Sequence, residues 1–196
     1  MATESAKCSR CGQPARIHLN PVGMLCDACW NSWMCDRTGR DPLPSPPPPE
    51  MFVDPDGRPH VLAYRLTHGA TGIEADLTEV GVEEGYEFRS LAAPYADPQR
   101  ALDHVRETAR REIGRHYLER SPFSGKPTIA DREVRGRIIW RSPDEMAVVV
   151  DGRQLTWDEL GQAIQNEGWN FTITLDEPIA MVDDYDPTLV FGEIGP

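Results

Sequence analysis

Two Cys-x-x-Cys pairs, Cys8-Ser-Arg-Cys11 and Cys26-Asp-Ala-Cys29, stand fourteen residues apart near the start of the chain, and nothing else in it restricts the fold as strongly. In a reducing compartment such pairs act as metal ligands rather than disulfides. Together they offer four soft thiolates, the set that closes a tetrahedron around zinc and leaves no position for water. The spacing predicts one structural Zn2+ held by Cys8, Cys11, Cys26 and Cys29. A segment this short cannot fold on apolar burial alone, so the metal has to supply its folding energy.

Around these ligands the local pattern is equally legible. Gly12 follows Cys11 where a tight knuckle needs positive φ. Ala15, Ile17 and Leu19 predict a short strand, Asn20-Pro-Val-Gly23 a turn, and Met24-Leu25 the return strand. Trp30, Trp33 and Met34 recur at helical spacing after Cys29, so the second ligand pair should open a helix. Knuckle, hairpin and ligand-bearing helix together resemble a treble-clef zinc finger, with a zinc ribbon as the alternative if residues 30–37 are extended. Because four thiolates complete the shell, Cys35 and His18 read as a spare thiol and an exposed imidazole.

The chain divides into a finger at 1–40, a linker at 41–51, an α+β domain at 52–176 and an acidic tail at 177–196. Proline fills six of the ten positions from Asp41 to Glu50, which forces an extended polyproline II spacer. Beyond it, His60–Thr67 and Ile73–Val80 predict an antiparallel hairpin, the second run alternating Ile73, Ala75 and Leu77 with polar residues. A third strand is expected over Tyr86–Leu91. Asp97-Pro98 is a helix start, and Leu102, Val105, Ala109, Ile113 and Tyr117 extend the apolar stripe to about Glu119. Residues 121–136 read as irregular, and Ser124-Gly-Lys-Pro-Thr128 lacks the upstream glycine of a phosphate-binding loop.

Ile138–Trp140 and Met146–Val150 predict paired strands, with Asp151-Gly152 as a hairpin turn into Arg153–Leu155. Thr156-Trp-Asp-Glu159 is a capping box opening a helix over 157–167 that places Trp157, Leu160 and Ile164 against the sheet, and Gly168 ends it. Trp169, Phe171, Ile173 and Leu175 then alternate as a last strand. The block VDGR, TWDELG, EGW is similar to a tail found in uncharacterised bacterial proteins, a resemblance that implies no activity. The fold class expected is α+β: a small N-terminal finger, a Pro-rich linker, then an antiparallel sheet with two helices.

Charge separates the functional options. Residues 1–40 carry five Lys/Arg against three acids, near +2, while the remainder has fifteen against twenty-nine, near −14. An acidic body repels phosphate backbones and anionic membranes, so any nucleic-acid contact falls to Lys7, Arg10, Arg16, Arg37 and Arg40 of the finger. No run approaches the roughly 20 apolar residues of a membrane span, and no apolar secretory segment opens the chain, which leads us to expect a cytoplasmic protein with no membrane partner. The five histidines form no ligand-spaced pair, and Asp144, Glu145, Asp158, Glu159 and Glu167 form no recognisable acid–base motif. A non-catalytic zinc-binding adaptor or regulator with a protein partner is therefore the first expectation. Nucleic-acid binding through the finger and an enzyme with a carboxylate site in the α+β domain are the alternatives.

Overall fold

The computed structural model describes residues 6–122, 124–142, 145–164, 172, 174–175 and 180–182. In the finger, β1 (Ile17–Leu19) and β2 (Gly23–Leu25) form the expected hairpin, with Ile17 opposite Leu25. Helix α1 (Asp27–Thr38) follows, with Cys26 at its N-cap and Gly39 at its C-cap in the left-handed conformation. Residues 30–37 are thus helical, as the first of the two readings of the ligand-bearing segment requires.

Strands β3 (Glu50–Val53), β4 (Pro59–His68), β5 (Ile73–Glu79) and β6 (Glu87–Ala92) form an antiparallel meander. β3 begins at Glu50, so the sheet takes in two residues of the stretch read as linker, and Leu43 of that stretch already packs on the core. The register sets Leu66 against Ala75 and Tyr64 against Leu77, which puts the alternating apolar residues on one face. Helix α2 (Pro98–Ile113) covers that face with Leu102, Val105, Ala109 and Ile113, and Asp97 caps it by accepting from the Gln99 amide. On the opposite face Arg65 pairs with Asp76 at 2.8 Å and Arg89 approaches the same carboxylate at 3.6 Å.

The basic face of α2 is tied to β3. The Glu50 carboxylate accepts from the Tyr64 hydroxyl (2.6 Å), from Arg106 Nε (2.9 Å) and from Arg110 Nη2 (2.8 Å). Burial works against ionisation of Glu50, yet these three donors hold its pKa below the ordinary 4.5. A depressed carboxylate stabilises the fold above its unfolded pKa, and that stabilisation is lost as pH falls through the lower folded value. We expect Glu50→Gln to flatten the acid limb of a plot of urea midpoint against pH below about 4.5; an unchanged acid limb would show that Glu50 contributes nothing to it.

Helix α2 stops at Ile113 rather than running on to Glu119. Gly114 is its C-cap, and the Asp151 carboxylate then accepts the amides of Tyr117 and Leu118, turning the chain into a second unit. Here β7 (Leu118–Arg120) pairs with β8 (Pro127–Ile129), so part of the stretch read as irregular is a hairpin. Strands β9 (Arg137–Ser142), β10 (Glu145–Val150) and β11 (Arg153–Thr156) form a three-stranded antiparallel sheet with β10 in the middle. Asp151 and Gly152 both have positive φ, 50° and 66°, as a two-residue hairpin turn of right-handed strands demands.

Helix α3 (Trp157–Ala163) opens with the complete capping box of Thr156 and Glu159. Its inward residues are Leu160 and Ala163, whereas Trp157 and Ile164 stay exposed, a correction to the expected stripe. On the β8 side, Thr128 Oγ1 donates to the Ala163 carbonyl at the end of the helix. The expected continuation to 167 and the end at Gly168 lie outside the described residues, as do Trp169, Phe171 and Ile173 of the last strand and most of the acidic tail. Thr172, Thr174 and Leu175 are described but belong to no strand, and β12 (Ala180–Met181) joins the large sheet parallel to β6. The fold class is α+β, with three helices and antiparallel sheets among the described residues.

Candidate metal centre

The Sγ atoms of Cys8, Cys11, Cys26 and Cys29 all lie within 4.8 Å of one another. Two local devices bring them together. In the knuckle, the Cys8 amide donates to the Gln13 carbonyl and the Gly12 amide to the Cys8 carbonyl, with Gly12 at φ 76°, so the turn folds back under both thiols. On the other side, Cys26 and Cys29 occupy the N-cap and first turn of α1, one helical turn apart. The Ser9 amide donates to the Met24 carbonyl and fastens knuckle to hairpin. Cys11 Sγ and Cys26 Sγ, one from each pair, are 3.5 Å apart.

Four thiols at this separation cannot all ionise without a counter-charge. Burial opposes ionisation of Cys8, but backbone groups of Cys26, Arg10 and Cys11 bring it down to about 6. Cys29 is pushed up to about 12 by burial and by the thiols of Cys11, Cys26 and Cys8. The first proton leaves easily and the last is held by the negative charge already present. A cation in the middle removes that conflict, and the helix N-terminus under Cys26 and Cys29 favours the thiolates further. These four cysteines could hold one metal ion, and the donor set is all sulfur.

Cys35 and His18 stand apart from the cluster. Cys35 Sγ faces the Asp41 carbonyl at 3.5 Å and His68 Nε2 at 3.6 Å, and His18 is exposed on β1. The finger's basic residues scatter. Lys7 and Arg10 are exposed, Arg16 pairs with Asp27 at 3.2 Å, and Arg37 lies over the Trp33 ring at 5.4 Å. Arg40 is buried, donating to the carbonyls of Gly69 and Ala70, and has no face toward solvent phosphate. Trp30 stacks on Trp33 and donates Nε1–H to the His68 carbonyl, so that its polar edge is committed to the fold.

Of the carboxylates weighed for acid–base work, Glu159 belongs to the capping box and Glu145 pairs with Arg141 at 3.1 Å. Asp158 lies in the first turn of α3, and Asp144 and Glu167 are outside the described residues. The fold instead gathers a different set along the seam between the two units. His60 Nδ1 is 2.7 Å from Glu79 and its Nε2 3.5 Å from Asp54, while His116 lies 3.3 Å from Asp56 and 4.0 Å from Asp151. Asp54, Asp56, His116 and Asp151 line a groove of about 870 Å³. No spacing signal marks these residues, because they come from β4, β5, two turns and the α2 exit.

The comparisons with known proteins follow the same division. Residues 44–114 match a family model described as Domain of unknown function (DUF7686), and residues 117–180 match one described as Domain of unknown function (DUF7713). The first match covers β3 to β6 with α2, the second begins where Tyr117 enters the smaller unit, and neither reaches the four cysteines. No curated protein and no solved structure matches the chain.

Proposed function

We propose that the chain is a non-catalytic zinc-binding adaptor or regulatory protein, in which a treble-clef finger and an acidic α+β body present surfaces to a protein partner. The convergence of four thiolates from a knuckle and a helix N-terminus carries the zinc reading. An all-thiolate shell suits zinc, and a shell without a vacant position holds a fold together instead of activating water. For protein binding, the support is an exposed apolar patch on the smaller sheet. Trp140 is 65% exposed and faces Met146 across the β9–β10 pair, with Ile138 next to them. Large exposed aromatic and sulfur side chains are typical of interface anchors.

Nucleic-acid binding loses ground on the side-chain positions of the finger. Arg40 is buried, Arg16 and Arg37 are engaged, and Lys7 and Arg10 remain. Two phosphate contacts give a shallow salt dependence. The enzyme reading gains one observation, the groove that gathers His116 with Asp54, Asp56 and Asp151.

Quantitative capture from a native lysate, run with wild type, a Cys26→Ser/Cys29→Ser variant and Trp140→Glu, tests the leading reading. We expect a defined protein bound by wild type and lost from at least one variant, with nuclease treatment having no effect. Capture abolished by nuclease would transfer the assignment to nucleic acid, and capture indifferent to both variants would remove the adaptor reading.

A further inference from the structure

The helix that carries half of the metal ligands also closes an open edge of the main sheet. β3 pairs with only the first part of β4, from Pro59 to Leu62, and among the described residues the rest of β4 has no strand on that side. In the β4–β5 ladder the Val80 amide donates to Val61 and the Gly69 amide to Gly72, so odd-numbered residues of β4 turn toward β5. Backbone groups of Leu66 and His68 therefore turn outward, where a further strand would otherwise pair with them.

Helix α1 takes that place with side chains. Asn31 donates Nδ2–H to the Leu66 carbonyl at 3.0 Å and accepts the His68 amide on Oδ1 at 2.9 Å, reproducing both bonds of a strand partner. Trp30 donates to the His68 carbonyl at 2.7 Å. Asp27, in the first turn, accepts from Arg65 Nε at 3.1 Å. Past the helix, Arg40 donates to the carbonyls of Gly69 and Ala70 and covers the β4–β5 turn, and the Asp41 carbonyl lies 3.1 Å from His68 Nε2. Every one of these contacts comes from the stretch between Cys26 and the proline run.

We infer that the four-cysteine metal centre is a latch on the main sheet: the metal holds α1 over the outer edge of β4, and loss of the metal uncovers the backbone groups of that edge. The inference rests on metal binding by the cluster. α1 is 12 residues long, and an isolated helix of that length is marginal in water, so its start at Cys26 and Cys29 depends on the ion that gathers the knuckle beneath it. Once α1 frays, the carbonyls of Leu66 and His68 and the His68 amide lose their partners together.

The test is hydrogen exchange on the full chain, with zinc content measured on the same samples, before and after treatment with a chelator under reducing conditions. The zinc-loaded protein should protect the His68 amide. Chelation should raise its exchange rate at least tenfold while the amides of the β5–β6 ladder stay protected. Asn31→Ala should keep about one zinc per chain and still raise His68 exchange several-fold, which holds the inference open to failure even if metal-free protein precipitates. A chain that takes up no zinc would remove the metal reading itself. A chain that binds zinc, but whose His68 exchange is unmoved by chelation or by Asn31→Ala, would overturn the latch alone.

Discussion

Replacing Cys29 by serine should reduce the zinc content of the purified protein from about one equivalent to near zero and melt the finger. The thiol sits in the first turn of α1 among three others within 4.8 Å, so its loss opens the shell to water and removes the ligand that links helix to knuckle. Structural zinc contributes apparent binding energies on the order of 10–16 kcal/mol in isolated fingers, far more than a segment with so few buried residues can recover otherwise. Met34, Leu25 and Cys8 are the finger's buried apolar side chains. The main sheet should survive, because Leu62, Leu77, Leu102 and Val105 form a core that no described finger residue enters. Cys35→Ser is the matched control and should retain the metal, since Cys35 contacts Asp41 and His68 instead of the cluster. Metal analysis and far-ultraviolet circular dichroism read both outcomes. A Cys29→Ser protein with full zinc occupancy would refute the assignment.

Asp151→Ala should destabilise the smaller unit by about 2 kcal/mol, from two part-buried amides left without an acceptor at the lower end of roughly 1–3 kcal/mol each. The carboxylate accepts the Leu118 amide at 2.9 Å and the Tyr117 amide at 3.1 Å, which fixes how the chain leaves α2. Tyr117 is a buried member of the second core with Val148 and Val150, so loosening its backbone also loosens that packing. Alanine is further disfavoured at the left-handed φ of 50°, which aspartate tolerates better. Chemical denaturation followed at residues of the second core measures the loss. A midpoint shift worth less than about 0.5 kcal/mol would mean that solvent replaces the carboxylate without cost.

The two variants probe different levels of the architecture, and they show where reading the chain as a string succeeds. The Cys-x-x-Cys pairs, the hairpin between them, the Asp97-Pro98 helix start and the Thr156–Glu159 capping box each depend on residues within a few positions of one another. Interactions of that range are written in local spacing. The strand alternation at Ile73, Ala75 and Leu77 was legible for the same reason. The end of α2 was not, because Tyr117 continues the apolar stripe at helical spacing, and the acceptor that draws its amide elsewhere lies thirty-four residues away.

The candidate site divides along the same line. Its four cysteines and the all-sulfur donor set they offer follow from spacing and from the chemistry of sulfur. Its role in the fold does not, since Asn31 reaches Leu66 and His68 across more than thirty residues, and Arg40 reaches Gly69 across twenty-nine. Counted as charge, Arg40 was a solvent-facing cation; packed against the β4–β5 turn, it is an interior donor. His60 meets Glu79 through the pairing of β4 with β5, whereas His116 meets Asp56 and Asp151 only because the large sheet and the smaller unit abut there. The sequence alone determined that a thiolate knot and an α+β body exist, because neighbours along the chain encode turns, caps and periodicity. Only the tertiary structure decided that the knot is docked on the body, because an open sheet edge needs hydrogen-bond partners that no local pattern names.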